Sequence, residues 1–304
     1  MIARDFSRIL TESSGSYLKR DHGKLHMITP TYSIVLPAYN ESARIADTLN
    51  KIVAYDAKRG WNAEIIVVND GSSDGTGEMV REYARNCPAL RLLENPGNRG
   101  KGYSVRNGML HAHGDILLFS DADLSSPIEE ADKLFAALAK GVDVAIGSRW
   151  LDPQLQIQKQ PLHRQLFGRI FNLALRFILG LKFKDTQCGF KAFTRRGAHS
   201  IFALQKIERW GFDPELLYLA RKFAFVVREV PVVWAHREGT RINPLRDGIR
   251  MFGEMLKIRS YALRGNYASA DTVYKPRRVG GSSGSVARKP VESHSGDEPA
   301  LRVR

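Results

Sequence analysis

The sequence has few cysteines and no long apolar segment. Its 304 residues include only two cysteines, Cys87 and Cys188, which lie far apart and form neither a disulfide framework nor a metal-ligand motif. The first residues lack the apolar core of a signal peptide. The longest apolar candidate, residues 173–181, is interrupted by Arg176 and is shorter than the ~20 residues of a membrane-spanning helix. We therefore expect a protein of the reducing cytoplasm that does not span a membrane.

Two common phosphate-binding motifs are also missing. The first predicted strand is not followed by Gly-x-Gly-x-x-Gly, which disfavours a dinucleotide-binding Rossmann enzyme. The loop from Asn95 to Gly102 does not have the spacing Gly-x-x-x-x-Gly-Lys-Ser/Thr of a P-loop. These absences argue against the two best-known ways in which an α/β chain holds phosphate groups.

Acidic residues are too few to balance the basic ones. The chain has 46 lysines and arginines against 32 aspartates and glutamates, a net charge of +14. Such a charge favours nucleic acid, phosphorylated substrates or an anionic membrane surface as partners. A basic nucleic-acid-binding module is the alternative from a different class, but the sequence has no zinc site, RNA-binding aromatic signature or concentrated basic stripe. We therefore expect no specific nucleic-acid partner.

Short apolar runs alternate with helical patterns in the first half of the chain. This alternation predicts an α/β fold with a mostly parallel central sheet flanked by helices. Pro37 is expected to end the first strand because proline has no amide hydrogen. The predicted strands are Tyr32–Leu36, Glu64–Val68, Leu90–Leu93, Ile116–Phe119 and Val142–Ile146, with a later one at Phe225–Val233.

Changes in composition suggest the domain boundaries. Residues 1–30 are polar and predict a flexible N-terminal arm. Residues 31–266 predict one folded domain, with a nucleotide-binding half at 31–150 and an acceptor half with amphipathic helices at 151–266. Residues 267–304 are charged and rich in Ser, Gly and Pro, which predicts a disordered tail.

Two amphipathic helices are predicted in the second half. The first, Leu162–Leu181, has a wide apolar arc rich in Phe and Leu beside a polar stripe. It could pack on the sheet, or it could lie in a membrane interface, where helices with such arcs and basic flanks are found. The second, Leu245–Leu263, carries on one face the apolar residues Leu245, Ile249, Phe252 and Leu256 and elsewhere the basic residues Arg246, Arg250, Lys257 and Arg259.

The most informative stretch of the chain is the apolar run Ile116–Phe119, which is followed by two carboxylates. Asp121 and Asp123 directly follow this buried strand, with their side chains on the same side if the backbone stays extended. Two carboxylates so close repel each other unless a cation lies between them. Mg²⁺ or Mn²⁺ is the candidate because both prefer oxygen ligands and keep positions for phosphate. The alternative is an ordinary solvated turn.

Two other polar turns follow strands in the same way. Asp70 follows the second strand, and Asn40 and Glu41 follow the first. Ligands of open α/β sheets bind beyond the carboxyl ends of the strands, so these residues should share one edge with Asp121 and Asp123. Asp70 could accept the imide hydrogen of a uracil ring there, although a single Asp is also typical of a turn or cap.

Several of these segments resemble family 2 glycosyltransferases. The opening signatures of that family are similar to Ile34–Glu41, Val67–Thr76 and Asp121-Ala122-Asp123. Its polyprenyl-phosphate branch, and most of all the dolichyl-phosphate β-glucosyltransferases, resembles Asp185–Phe193, Glu208–Leu217 and Glu229–Trp234. The resemblance covers about residues 32–266. It implies the GT-A (nucleotide-diphospho-sugar transferase) fold, a nucleotide-sugar donor and inversion at the anomeric carbon.

The resemblance also implies roles for residues that match the family's motifs. Asp121 and Asp123 would hold the metal on the diphosphate, and Lys101 would lie close to the nucleotide. Gln187 and Asp213 would line the sugar site. The residues implied at the nucleotide are Pro37, Ala38, Tyr39, Asn40, Glu41, Asp70 and Ala122.

Three features depart from the patterns of known relatives. Some relatives have a metal-binding Gln where this chain has Ser125, and the eukaryotic glucosyltransferases usually have an N-terminal membrane anchor that this sequence does not show. Processive synthases carry Gln-x-x-Arg-Trp, whereas Gln205 lies one residue too far from Arg209-Trp210. A processive synthase is therefore not expected.

The nature of the acceptor determines which groups the reaction needs. A phosphate monoester has a second pKa of about 6 and needs cations more than it needs a base. The candidate cations are Arg149, Arg164, Arg169 and Lys191, while Asp213 is a candidate base for a hydroxyl acceptor or else a helix cap before Pro214.

We expect transfer of glucose from UDP-glucose to a polyprenyl or dolichyl phosphate. The enzyme should act as a peripheral protein at the cytoplasmic face of an anionic membrane, because the lipid tail of the acceptor does not leave the bilayer easily. GDP-mannose as donor, or a glycan hydroxyl as acceptor, is the alternative within the same chemistry.

Overall fold

The computed structural model describes residues 17–21, 24–28, 30–156, 173–235 and 244–267. The stretch predicted to be a flexible arm contains a separate two-stranded sheet. In it, β1 (Tyr17–Asp21) pairs antiparallel with β2 (Lys24–Ile28), and Tyr17 lies opposite Ile28. The predicted tail, apart from Tyr267, lies outside the described residues.

A seven-stranded sheet forms the centre of the domain. Its strand order is β5-β4-β3-β6-β8-β7-β9, and every neighbouring pair is parallel except the two pairs that involve β8. The prediction of an α/β fold with a mostly parallel sheet is confirmed. The strands are β3 (Tyr32–Ala38), β4 (Ala63–Asn69), β5 (Leu90–Glu94), β6 (Ile116–Ser120), β7 (Val144–Ser148), β8 (Phe190–Thr194) and β9 (Val227–Pro231).

Helices cover both faces of this sheet, and side chains alternate between two apolar clusters. Ile34 and Leu36 of β3 belong to one cluster and Val35 to the other, as the two-residue period of a strand requires. The helices are α1 (Ile45–Arg59), α2 (Thr76–Asn86), α3 (Lys101–Leu110), α4 (Ala131–Ala139), α5 (Arg195–Leu204), α6 (Phe212–Lys222) and α7 (Pro244–Leu263). Helices α1, α2 and α4 contribute to the first cluster, and α3, α5, α6 and α7 to the second.

Strand β3 runs through Pro37, so the prediction that this proline ends the strand is wrong. Pairing between β3 and β6 stops at Val35, whereas pairing with β4 continues to Ala38. The Ala38 carbonyl accepts from the Asp70 amide on the β4 side. Because successive residues of a strand point their backbone groups to opposite sides, the Pro37 nitrogen faces the β6 side, where no ladder partner remains.

The two predicted amphipathic helices have different outcomes. Residues 173–178 are helical, and the earlier part of the predicted helix Leu162–Leu181 lies outside the described residues. Leu175 and Leu179 are buried, whereas Phe177 is 82% exposed. The prediction of the second helix is confirmed by α7. No helix in the described parts of the chain has the length and apolar character needed to cross a bilayer.

The last described residue is packed against the domain. Tyr267, which the sequence placed at the start of the tail, is buried, and its hydroxyl donates to Glu215 Oε1 at 2.6 Å. Glu215 is fully buried and also accepts from the amides of Lys206 and Ile207 at 3.0 and 2.8 Å. Ordered packing therefore extends to residue 267.

Candidate active site

The polar turns identified in the sequence meet at one edge of the sheet. Strands β3, β4 and β6 are parallel, so the segments that follow Ala38, Asn69 and Ser120 emerge on the same side. This is the edge at which open α/β sheets bind ligands. The structure thus places Asp70, Asp121 and Asp123 at the same edge of the sheet, as the sequence predicted.

The loops after β3 and β4 are joined by reciprocal hydrogen bonds. The Asn40 amide donates to Ser72 Oγ at 2.8 Å, and Asn40 Oδ1 accepts from the Ser73 amide at 2.8 Å. Asn40 has a φ of 54°, a left-handed conformation that asparagine adopts more readily than most residues. The Glu41 amide donates to Thr76 Oγ1 at 2.8 Å. These bonds hold the predicted nucleotide residues in a defined backbone path, with the ring of Tyr39 exposed at the edge.

Asp70 holds the loop that precedes α3. Its Oδ1 accepts from Asn95 Nδ2 at 2.8 Å and from the Arg99 amide at 2.9 Å, and its Oδ2 accepts from the Gly100 amide at 2.8 Å. The carboxylate is almost completely buried. The structure therefore gives Asp70 a role in shaping the site, and its contact with a nucleoside stays a prediction.

Asp121 and Asp123 lie in a tight turn directly after β6. The Asp121 amide donates to the Gly189 carbonyl at 3.1 Å, and Asp123 Oδ1 accepts from the Ser125 amide at 2.9 Å. Thr48 Oγ1 of α1 donates to the carbonyl of Ala122 at 2.6 Å. A Cβ atom at Gly189 would lie 2.2 Å from Asp121 Oδ2, so any other residue there would displace this carboxylate from its position. Both carboxylates stay partly exposed.

Lys101 forms an ion pair with Asp121. The Lys101 Nζ contacts Asp121 Oδ1 and lies 5.3 Å from the centre of the Trp210 ring. Burial disfavours the charged ammonium, but the carboxylates of Asp121 and Asp213 outweigh it and raise the pKa of Lys101 above its usual value. Lys101 thus lies beside the proposed metal ligands. Its contact with a nucleotide stays a prediction.

A second ion pair is completely buried behind this edge. Lys191 has no exposed surface, and its ammonium donates to Asp213 Oδ1 and to the Cys188 carbonyl. Asp213 is the second residue of α6, and the helix cap is Gly211, so the alternative that Asp213 caps this helix is wrong. Burial raises the pKa of the Asp213 carboxyl above its usual value, against the charges of Lys191 and Lys101.

Arg149 is held by a carboxylate on the neighbouring loop. Its Nε and Nη2 donate to Asp185 Oδ2 and Oδ1 at 2.7 and 2.8 Å, and its guanidinium lies 5.4 Å from the Trp234 ring centre. Burial disfavours both charges, but their mutual attraction raises the pKa of Arg149 and holds the pKa of Asp185 below its usual range. Nη1 is the guanidinium nitrogen that does not bind Asp185.

Of the other residues predicted to bind the sugar or the acceptor, Gln187 lies in the described part of the chain. The Gln187 amide donates to Asp185 Oδ1 at 3.2 Å, so Gln187 lies beside the Arg149 pair. Arg164 and Arg169 lie outside the described residues. Gln205, which does not fit the processive motif, is buried and donates through Nε2 to the carbonyls of Gly102 and Ile207 at 2.9 and 2.8 Å.

Three further residues contribute to this edge and were not predicted as site residues. Asp185 fixes Arg149, Trp210 faces Lys101, and Gly189 makes room for Asp121. All three lie in segments of the second half that resemble the polyprenyl-phosphate branch of the family. A spacing pattern could not reveal them, because their partners are distant in the sequence.

The carboxylates at this edge fit a divalent cation. Within the described residues, no group of three or more His, Cys, Asp or Glu side chains is placed to hold a metal. Mg²⁺ and similar ions commonly bind through only one or two carboxylates together with substrate phosphates and water. Asp121 and Asp123 supply this donor set, and Ser125, at the position of the relatives' Gln, is buried.

Comparison with known proteins identifies relatives along most of the chain. The family model described as glycosyl transferase family 2 matches residues 33–202. A Trichomonas vaginalis protein named dolichyl-phosphate beta-glucosyltransferase is 37% identical over 255 residues, which cover 80% of this chain and 75% of the relative. Proteins with the same name from Dictyostelium discoideum and Homo sapiens are 31% and 32% identical, over 87% and 80% of this chain and 88% and 79% of their own lengths.

Solved structures of glycosyltransferases share the fold. Glucosyl-3-phosphoglycerate synthase from Mycobacterium tuberculosis, solved with Mn²⁺, UDP and phosphoglyceric acid, superimposes with a TM-score of 0.56 at 22% identity and covers 79% of each chain. The same synthase has been solved with Mg²⁺ and UDP. These structures confirm the predicted GT-A fold. The family model and the relatives that align along most of its length show that the chain belongs to the family 2 glycosyltransferases.

Proposed function

We propose that this enzyme transfers glucose from UDP-glucose to dolichyl phosphate or a similar polyprenyl phosphate, with inversion at the anomeric carbon. The observation that carries the proposal is the name shared by relatives that align over three quarters or more of their own lengths. UDP as the nucleotide is supported by the solved structures of the M. tuberculosis synthase in complex with UDP and with UDP-glucose.

The proposed reaction exchanges one bond for another at the anomeric carbon. An oxygen of the acceptor phosphate forms a bond to this carbon, while the bond to the β-phosphate oxygen breaks and its electron pair leaves with UDP. A divalent cation would supply Lewis-acid stabilisation of the departing diphosphate. Asp121 and Asp123 would hold that cation, and the ammonium of Lys101 lies beside them to attract phosphate oxygens.

The ion pairs of the second half favour a phosphate acceptor over a hydroxyl acceptor. A hydroxyl needs a general base, and the candidate base Asp213 is buried and bonded to Lys191. A phosphate dianion needs only cations to hold it. Arg149 can offer Nη1 to the phosphate while Asp185 holds its Nε and Nη2. Lys191 has no exposed surface, so it would act indirectly, by holding Asp213 in position.

A panel of donors and acceptors tests this proposal. Purified enzyme would be given UDP-glucose or GDP-mannose with dolichyl phosphate or with dolichol, which lacks the phosphate, in Mg²⁺, Mn²⁺ or excess chelator. We expect release of nucleoside diphosphate and formation of a glucosyl phospholipid only with UDP-glucose, dolichyl phosphate and metal. Preference for GDP-mannose, transfer to dolichol or full turnover in chelator would contradict the respective part of the proposal.

We further propose that α7 rests on an anionic membrane surface. Its apolar residues Ile249, Phe252, Leu256 and Leu263 are between 46% and 74% exposed, whereas Met255 and Ile258 of the same helix are fully buried. The exposed basic residues Arg250, Lys257 and Arg259 flank this apolar stripe. An outward apolar stripe with basic flanks is the pattern of an interfacial helix. The cytoplasmic side of the membrane, which the low cysteine content favours, is part of this proposal.

Flotation with liposomes tests the membrane proposal. The wild type should float with anionic vesicles at low salt and less with neutral ones. Changing both Phe252 and Leu256 to Ser should weaken binding about 10-fold or more, because each side chain buries apolar area in the interface. Val226→Ser, at a 53% exposed apolar residue before β9, is the matched control and should bind normally. Equal binding by the double variant and the control would contradict a role for α7.

A further inference from the structure

Lys101 occupies the place of a cation on Asp121. It is the first residue of α3, and its ammonium contacts Asp121 Oδ1. Only 16% of the Lys101 side chain is exposed, against 34% of the Asp121 side chain. The face of Trp210 covers the ammonium at 5.3 Å, a distance typical of a cation–π contact. This lysine is therefore held inside the site rather than left in solvent.

The backbone on both sides of Lys101 is anchored to the rest of the domain. Before it, the amides of Arg99 and Gly100 donate to Asp70. After it, the carbonyl of Gly102 accepts from Gln205, and the amide of Tyr103 donates to the Glu208 carbonyl at 2.9 Å. These anchors fix the start of α3 and thereby direct the ammonium to Asp121.

The charges around this point nearly balance without any added ion. Lys101, Arg149 and Lys191 pair with Asp121, Asp185 and Asp213, respectively. Asp123, in the same turn as Asp121, is the one additional carboxylate. An oxygen that accepts from an ammonium cannot coordinate a divalent cation in the same direction. Two like charges a few ångströms apart also repel strongly at a partly buried position.

We propose that Lys101 is a built-in counter-cation that keeps divalent metal off Asp121 until a nucleotide diphosphate arrives. The diphosphate offers Lys101 another anion, so the ammonium leaves Asp121 as the metal and the nucleotide bind together. Metal and nucleotide should therefore bind with strong positive coupling, which is reciprocal by thermodynamic necessity. This inference rests on the metal site of the proposed function.

Binding of Mn²⁺, measured by the electron paramagnetic resonance of the free ion, tests the inference without turnover. The wild type should bind Mn²⁺ weakly alone and at least about 10-fold more tightly with UDP. Lys101→Met and Lys101→Gln, each checked for cooperative thermal unfolding, should bind Mn²⁺ alone about 10-fold more tightly than the wild type, because a nearby positive charge is gone. The enhancement by UDP should shrink accordingly.

Two control variants separate charge from shape. Lys101→Arg keeps a cation at the site and should bind Mn²⁺ alone as weakly as the wild type does. Lys51→Met removes an exposed lysine of α1, paired with Asp47, and should change nothing.

Two results would overturn the inference. One is a wild type that binds Mn²⁺ equally well with and without UDP. The other is a pair of folded Lys101 variants whose Mn²⁺ affinity without nucleotide is unchanged. A third result would show that Asp121 does not bind metal at all, which is a failure of the proposed function. In that case Asp121→Asn would leave Mn²⁺ binding in the presence of UDP unaffected.

Discussion

The two halves of the candidate active site are held by different kinds of interaction. In the first half, apart from the partly exposed pair Lys101–Asp121, side-chain oxygens of Asn40, Asp70 and Asp74 accept hydrogen bonds from backbone amides of nearby loops. The carboxylates of the second half, Asp185 and Asp213, instead form two buried ion pairs, with Arg149 at the end of the first half and with Lys191. Loss of one loop hydrogen bond leaves its neighbours in place, whereas loss of one ion leaves its partner charged and buried. The second half should therefore be far more sensitive to single substitutions.

Breaking the fully buried pair is expected to have the largest effect. Lys191→Met should lower the free energy of unfolding by about 3–5 kcal/mol, because it leaves the Asp213 carboxylate buried without its partner. Urea denaturation gives the measurement. The double variant Lys191→Met/Asp213→Leu should recover at least half of the loss, since neither charge is left. Lys222→Met, at an exposed lysine of α6, is the control. A double variant as unstable as the single one would remove the proposed contrast.

A substitution in the first half should cost less. Asp70→Asn should lower the free energy of unfolding by about 2 kcal/mol, because an amide offers only one acceptor oxygen to the three donors at this position. Hydrogen exchange should locate the damage at the amides of Arg99 and Gly100. Asp74→Asn is the matched control, since Asp74 is exposed and accepts from the amides of Ser42 and Thr76. An effect of Asp70→Asn as large as that of Lys191→Met would contradict the comparison.

Glu64 is a buried carboxylate of the first half with charged neighbours, at the opposite edge of the sheet. Glu64 accepts from Ser33 Oγ at 2.6 Å and pairs with Arg91 at 3.1 Å. Burial opposes its charge, but hydrogen bonds from His113 and Ser33 outweigh burial and hold the pKa of Glu64 below its usual value. A carboxyl whose pKa is lower in the folded state stabilises the fold above its unfolded pKa of about 4.3, and this stability is lost as the pH falls through the folded pKa.

Glu64→Gln should therefore flatten the acid side of the stability curve. The variant should be less stable than the wild type by about 1 kcal/mol at pH 7, and this difference should shrink between about pH 5 and pH 3 as Glu64 becomes protonated in the wild type. Urea denaturation across this range gives the measurement. Parallel curves for the two proteins would show that Glu64 does not contribute through its charge.

The same contrast explains which features the sequence could predict. The turns after β3, β4 and β6 depend on Asn, Asp and Gly at short spacing, so Asp70, Asp121 and Asp123 could be assigned to one edge before the structure was known. The pairs Arg149–Asp185 and Lys191–Asp213 join residues 36 and 22 positions apart, and nothing in the local pattern links them. Strand β8 was not predicted, because the segment before its five residues was interpreted as a family motif and not as a turn that precedes a strand.

Helix α7 shows a further limit of pattern reasoning. The apolar face that contains Ile249, Phe252 and Leu256 was identified correctly, and a helix packed on a sheet would normally bury such a face. In the structure this face points outward, while Met255 and Ile258 pack inward. Periodicity finds an apolar stripe but does not tell which surface covers it.

The position of β8 has a consequence for how the protein is made. This strand lies between β6 and β7 and pairs antiparallel with both, so within the described sheet residues 190–194 connect residues 116–120 to residues 144–148. During synthesis on the ribosome, one edge of β6 stays open until β8 has emerged, and open strand edges are prone to aggregation. Fragments that end before residue 190 should therefore be insoluble, and newly made chains are expected to need chaperones until this strand is inserted.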